Sequence, residues 1–288
     1  MAVSLVLGAC SSASNAANTG AEKAANEGTT ANVSKTVHDT FGDVVIPAEP
    51  KNLLVTNSSY AEYLIEMGIV PQMVLMTFEV EPEYRAPYFE KHGVKMIESD
   101  QYQYNYEQLL ALSPDLILTQ GGGMEKTVYD ELSKIAPTVA LNTNSEMEAA
   151  MPLMAELFDK TAESAKVLAE NEEKVEQAKT KIAQAIGDKT VLVLRVESTR
   201  YRYLGSKAGD SSKFFYQTLG LHIPEIFKDS EDWFTPFSLE ILPDIKPDYI
   251  FLEERALKGY DASQSLKDLE NNPLWQNMDA VKNGHVFR

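Results

Sequence analysis

Beyond residue 35 the chain alternates short β-branched apolar runs with longer segments whose apolar residues recur at helical spacing. The runs Leu53–Thr56, Gln72–Met76, Leu116–Thr119, Thr138–Leu141, Thr190–Val196 and Tyr249–Leu252 read as strands. Strands alternating with helices predict parallel sheets and an α/β fold. In mid-chain, 147–158 and 161–186 are rich in Ala, Glu, Lys and Leu, with a break near Asp159 and Lys160. The second stretch predicts a helix of about 39 Å, long enough to brace two lobes. Its mixture of acids and bases predicts a solvated face.

The two sides of that helix echo each other. Asn105 to Leu118 aligns without a gap with Ser238 to Phe251: a capping residue, then Glu107 or Glu240, Leu109 or Leu242, and Pro114-Asp115 or Pro247-Asp248 before an apolar strand. Each reads as a short helix stopped by proline and followed by a strand. Lys51 and Lys189 open matching strands, and Gly68 and Gly220 close matching helical stretches. A duplicated α/β lobe accounts for these correspondences.

Composition narrows the function. The chain has 288 residues, 26 Lys and Arg against 43 Asp and Glu, and a net charge of −17, which disfavours nucleic acid as a partner. Its one cysteine, Cys10, excludes an internal disulfide framework. Ahead of it runs a short apolar stretch ending in small residues, the tail of a signal peptide. Leu7-Gly8-Ala9-Cys10 resembles the bacterial lipobox, which implies acylation of Cys10 and a tether on the extracytoplasmic face of the cell membrane. Residues 11–35 have the Ser/Ala/Asn/Thr composition of a flexible linker, which places the start of the folded body near Thr36.

Two α/β lobes joined by one long helix, behind a lipobox and linker, resemble the class III solute-binding proteins of ABC importers. Asp39 to Pro50, Leu132 to Val139 and Asn272 to Gly284 are similar to the iron–siderophore binding lipoproteins of Gram-positive bacteria. The resemblance implies two three-layer α/β lobes: an N-terminal lobe over 36–158, a connecting helix over 159–187 and a C-terminal lobe over 188–288. Such proteins usually continue with a further strand piece and a terminal helix, so a truncated C-terminal lobe, partly uncovered, is expected. The implied function is extracytoplasmic binding of a ferric siderophore by a monomer and its delivery to an ABC permease dimer with its ATPase. The chelator holds the iron, so no cofactor and no protein-bound metal is expected.

A ferric siderophore is bulky and often anionic, and its pocket calls for guanidinium groups and aromatic faces. In this acidic chain Arg195, Arg200 and Arg202 cluster after the first strand of the second half, interleaved with Tyr201 and Tyr203. Strand alternation puts the two later arginines on one face and the tyrosines on the other. The resemblance marks Arg195 as a chelate-binding arginine. A solvated hairpin neutralised by acids such as Glu197 is the alternative. Further candidates are Trp233, Tyr203, Tyr104 among the alternating Tyr102, Tyr104 and Tyr106, and Ser58 after the first strand. Glu107 and Glu240, each in a first helical turn, are favoured there by the helix dipole. The resemblance adds docking to the permease.

Other functions find less support. The folded region has no His-Glu-x-x-His, no Gly-x-Ser-x-Gly and no cysteine nucleophile, so an enzyme is not expected. Gly121-Gly122-Gly123 lacks the P-loop continuation and reads as a turn beside the cleft. His38, His92, His222 and His285 are scattered, as surface or packing residues are. Haem or cobalamin binding by the same fold, or a metal-chelate sensor, are the alternatives.

Overall fold

The computed structural model describes residues 34–100, 103–143, 146–207, 209–255 and 261–288; Cys10, the linker up to residue 33 and Tyr102 lie outside them. Among the described residues an antiparallel hairpin of β1 (Ser34–His38) and β2 (Asp43–Pro47) precedes the first lobe, and Thr36 lies within it. The Asp39 carboxylate accepts from the backbone N–H of Phe41, Gly42 and Ala140, at 2.7, 3.0 and 2.9 Å, so one side chain closes the turn and fastens the hairpin to the sheet.

The N-terminal lobe holds a parallel sheet in the order β5-β4-β3-β6-β7, formed by Lys95–Glu98, Met73–Met76, Leu53–Val55, Leu116–Gln120 and Thr138–Leu141. Helices α1 (Ser58–Glu66), α2 (Arg85–Lys91), α3 (Tyr106–Ala111), α4 (Lys126–Ser133) and α5 (Met147–Phe158) surround it. Successive strand residues serve opposite cores. Val55, Val74, Leu116 and Leu118 pack with Tyr60 and Leu64 of α1 and Met151 of α5. Leu54, Leu75 and Ile117 pack with Leu109 of α3 and Leu132 of α4. Helix, sheet and helix therefore form three layers.

Helix α6 (Thr161–Ile186) has the expected bounds. Asp159, in the left-handed conformation at φ 56°, separates it from α5. Ser164 is the buried residue among those α6 contributes, and pairs such as Lys160–Glu163 and Lys179–Glu176 line its solvated face.

The C-terminal lobe has the order β10-β9-β8-β11-β12, built from Phe234–Phe237, Tyr201–Leu204, Val191–Val196, Tyr249–Glu254 and Val286–Phe287. Here β9 runs antiparallel to both neighbours, so the duplication covers the central pairs β3/β6 and β8/β11 rather than whole sheets. Leu192, Leu194, Ile250 and Leu252 pack on one face with Leu242, Leu269 and Trp275. Val193, Leu204 and Phe234 pack on the other with Phe215 and Tyr216, from the segment around the π-helical turn Lys213–Thr218. Phe251 of β11 and Phe287 of β12 remain 37% and 47% exposed. Lys213 of this lobe meets Glu146, at the start of α5, at 3.1 Å.

Candidate functional site

In open α/β sheets ligands bind beyond the carboxyl ends of the strands. At that end of the C-terminal lobe the chain gathers four of its six arginines. Arg195 stands in register with Glu253 on the adjacent parallel strand and reaches its carboxylate at 2.9 Å. Its guanidinium carbon lies 3.5 Å from the Phe234 ring centre and 5.2 Å from that of Trp233. The residue is 8% exposed, and its Nε–H is buried without a hydrogen-bond partner. A buried, incompletely paired arginine lowers stability, and such exceptions mark functional positions.

The β8–β9 hairpin turns between Glu197 and Arg200, whose backbones bond at 3.0 Å. The buried Glu197 carboxylate collects three guanidinium groups: Arg200 at 2.5 Å, Arg202 at 3.2 Å and Arg255 at 3.6 Å. Burial alone would raise its pKa, but the hydrogen bonds from Arg200 and Arg202 outweigh that and hold the carboxyl below the usual glutamate range. Arg202 also donates from Nε to the Phe234 carbonyl at 2.7 Å, which fixes its fork beside Arg195. Both readings of the sequence thus meet here: the arginines do pair with Glu197, and they do so at the strand ends.

Trp233, 49% exposed, packs edge-on against Phe234 and supplies an apolar face next to Arg195. Gly209 makes this possible. With φ at +77°, it would bring a Cβ within 3.0 Å of the Trp233 ring. Tyr203 corrects the expectation. It is 8% exposed, stacks on Phe227 at 3.7 Å and reaches the Ser230 hydroxyl at 3.2 Å, all on the core face of β9. Arg202 takes the other face, and alternation allows only one of the two to reach the site. Arg255, just past β11, was not among the sequence candidates.

In the N-terminal lobe the corresponding strand ends border two open cavities of about 330 and 280 Å³. Tyr104 lines both, together with Thr56 and Asn57; Ser58 lines the larger, and Gly122 and Gly123 line the smaller. Ser58 is buried. Its hydroxyl donates to Glu81 at 2.7 Å and accepts from Arg85 at 3.0 Å. Arg85, whose side chain is 12% exposed, is clamped between Glu81 and Glu62. Burial lowers its basicity, but the hydrogen bonds it donates to these two carboxylates more than offset that and raise its pKa above the ordinary value. Another cavity, of about 340 Å³, lies at the amino ends of β8 and β11 around Lys189, Asp248 and His285, at the opposite end of that sheet from the arginines.

Glu107 and Glu240 are both exposed, in the first turns of α3 and of the 3-10 turn Leu239–Ile241, which Asn105 and Ser238 cap. Each precedes the strand, β6 or β11, that lies beside the lobe's first strand, so the two occupy equivalent positions. Among the described residues no helix is long and apolar enough to cross a membrane.

The chain is 33% identical to the iron(3+)-hydroxamate-binding protein FhuD of Bacillus subtilis, covering 86% of this chain and 76% of that protein. It is 30% identical to the probable siderophore-binding lipoprotein YfiY of the same organism, covering 98% and 86%. A solved FhuD-fold periplasmic binding protein from a Bacillus subtilis ferrichrome ABC transporter superposes with a TM-score of 0.68 at 29% identity, covering 87% of this chain and 89% of that one. Residues 53–288 match the periplasmic binding protein family, and the chain belongs to it.

Proposed function

We propose that this protein binds a ferric siderophore outside the cytoplasm and delivers it to an ABC permease dimer driven by its ATPase. The observation that carries the reading is the gathering of arginines at the strand ends of the second lobe, Arg195 beside the half-exposed Trp233 and Arg200, Arg202 and Arg255 on Glu197. Guanidinium forks donate several directed hydrogen bonds to chelate oxygens, and the indole offers a flat contact. Tyr104, which lines both cavities of the first lobe, supplies a hydroxyl group, whereas the Ser58 hydroxyl is spent on Glu81 and Arg85 and serves the cavity wall. The chelator keeps the iron, and the chain works as a monomer without catalysis of its own. Relatives named for ferric chelates favour this cargo over haem or cobalamin.

Cys10 carries the lipid that holds the protein on the outer face of the membrane. A relative named as a lipoprotein supports the anchor. Glu107 and Glu240 dock one on each half of the permease, where paired charges set orientation more than affinity.

Titration calorimetry of the full chain against a panel of ferric siderophores tests the proposal. One-to-one binding of at least one chelate, with the iron-free siderophore bound more weakly, is expected. Absence of binding across hydroxamate, catecholate and carboxylate chelates would overturn it.

A further inference from the structure

The loop between β4 and α2, residues 77–84, runs along the larger cavity of the first lobe, where Thr77, Val80 and Glu81 form part of the wall. Val80 is 40% exposed. Among the described residues lining that cavity the other apolar surfaces are the buried Leu75 and the ring of Tyr104, so Val80 is the aliphatic side chain that a bound molecule would cover.

The loop has little regular structure of its own. Two turn bonds shape it, from the Val80 N–H to the Thr77 carbonyl at 2.9 Å and from the Arg85 N–H to the Pro82 carbonyl at 3.0 Å. Its Glu81 carboxylate ties it to the lobe, accepting from the Ser58 hydroxyl at 2.7 Å and from Arg85. Arg85 spends its fork on that junction. One terminal nitrogen donates to Glu81 and to the Ser58 hydroxyl at 3.0 Å, the other to Glu62 at 2.7 Å and to the Ser59 hydroxyl at 3.3 Å. Ser58, Ser59 and Glu62 belong to α1 and Arg85 opens α2, so one guanidinium joins the loop and both helices at the rim of the cavity.

The side chains of Glu62 and Glu81 are as secluded as that of Arg85, and the Arg85 Nε–H is buried without a hydrogen-bond partner. A buried ionic group of this kind often adds no more stability than apolar packing of the same volume. What a planar fork adds is direction, which a lysine ammonium lacks.

We infer that Arg85 is a positioning residue for the cargo wall of the first lobe: through Glu81 it holds the 77–84 loop so that Val80 meets the apolar arms of the chelator. The inference rests on the siderophore reading above and adds a specificity determinant on the lobe that lacks the arginine cluster. Charge neutralisation alone would be served equally by lysine. A merely stabilising role would lower the melting temperature and leave cargo affinity as it is.

The test is a double-variant cycle on the full chain, titrated with the ferric siderophore of the panel that the parent binds best. Val80→Ala is expected to weaken binding about threefold to tenfold, the worth of partly burying its two methyl groups. Arg85→Lys is expected to weaken it to a similar degree, and the double variant no further than the larger single effect, because both changes act on one contact. Glu62→Gln, which loosens the clamp from α1 and leaves the cavity lining intact, gives the same readout should Arg85→Lys lose its fold, as a melting curve reports. Parent-like affinity in Val80→Ala or in the folded clamp variant, or losses that simply add, would overturn the inference and leave siderophore binding standing. Binding of no ferric siderophore by the parent would overturn both.

Discussion

Asp115 and Asp248 do the same work in the two lobes. Asp115 accepts from the backbone N–H of Lys51 and Asn52, at 2.6 and 2.9 Å, and Asp248 accepts from the N–H of Thr190 at 2.8 Å while pairing with Lys189 at 2.9 Å. Each carboxylate ties the start of its own strand to the start of the lobe's first strand. In each lobe the residue two before it, Ser113 or Lys246, turns the chain with positive φ, at 50° and 45°. Replacing either aspartate with alanine is expected to cost about 1–3 kcal/mol by leaving backbone donors unpaired. Denaturant melts of the two single variants check this, with affinity for the cargo unchanged because both lie away from the arginine cluster.

Acid should weaken the fold in a defined direction. Backbone and side-chain hydrogen bonds hold Asp248 below the ordinary aspartate range. Glu197 is likewise depressed, by its arginines against the effect of burial. A carboxyl whose folded pKa is depressed contributes stability that is complete above its unfolded value, about 3.9 for Asp and about 4.3 for Glu, and is lost as pH falls through the folded value. Melting temperature is therefore expected to hold steady down to about pH 5 and to drop below about pH 4. Glu197→Gln should melt lower at neutral pH and show a shallower acid limb.

Arg195→Ala removes the guanidinium that sits on Phe234 and beside Trp233. Loss of a charge-assisted contact in a desolvated site costs about 1.5–3 kcal/mol, roughly tenfold to a hundredfold in affinity. Titration of the variant with the best-bound ferric siderophore measures it. Parent-like affinity would place Arg195 outside the site.

Gly209→Ala forces a side chain into a left-handed backbone and against the Trp233 ring. A strain of about 1–2 kcal/mol is expected from the backbone alone. The measurable outcome is a lower melting temperature with a shifted tryptophan emission maximum and weaker cargo binding.

Glu107 and Glu240 separate docking from helix stability. The double alanine variant should keep its cargo affinity in solution, lose a few tenths to about 1 kcal/mol of stability per site, and show impaired iron uptake in cells. Uptake equal to that of the parent would remove the docking role.

Much of this organisation is legible in the residues themselves. Buried parallel strands read as unbroken apolar runs, so β3, β4, β6, β7, β8 and β11 stand close to their expected bounds, and the Asp159-Lys160 break marks the α5–α6 boundary. The β1–β2 hairpin is harder to see. Its alternation of exposed Val45 with buried Ile46 sits beside a polar leader, and it depends on Asp39 reaching Ala140, far along the chain. The arginine cluster is visible as three residues close in sequence. Arg255 is not, because only the pairing of β11 with β8 brings it to Glu197. Tyr203 misleads for the opposite reason: it neighbours the site in sequence, while alternation turns it into the core.

Trp233 offers the most direct test of the central claim, since it is half-exposed beside Arg195 while Trp275 is buried at 4% exposure in the core of the same lobe. A ferric siderophore seated on the arginines would lie within quenching distance of that indole. Steady-state tryptophan fluorescence of the full chain, titrated with the best-bound ferric siderophore of the panel, should show saturable quenching in the parent. Trp275→Phe should retain it and Trp233→Phe should lose most of it. Quenching that never saturates, or that survives unchanged in Trp233→Phe, would contradict the account.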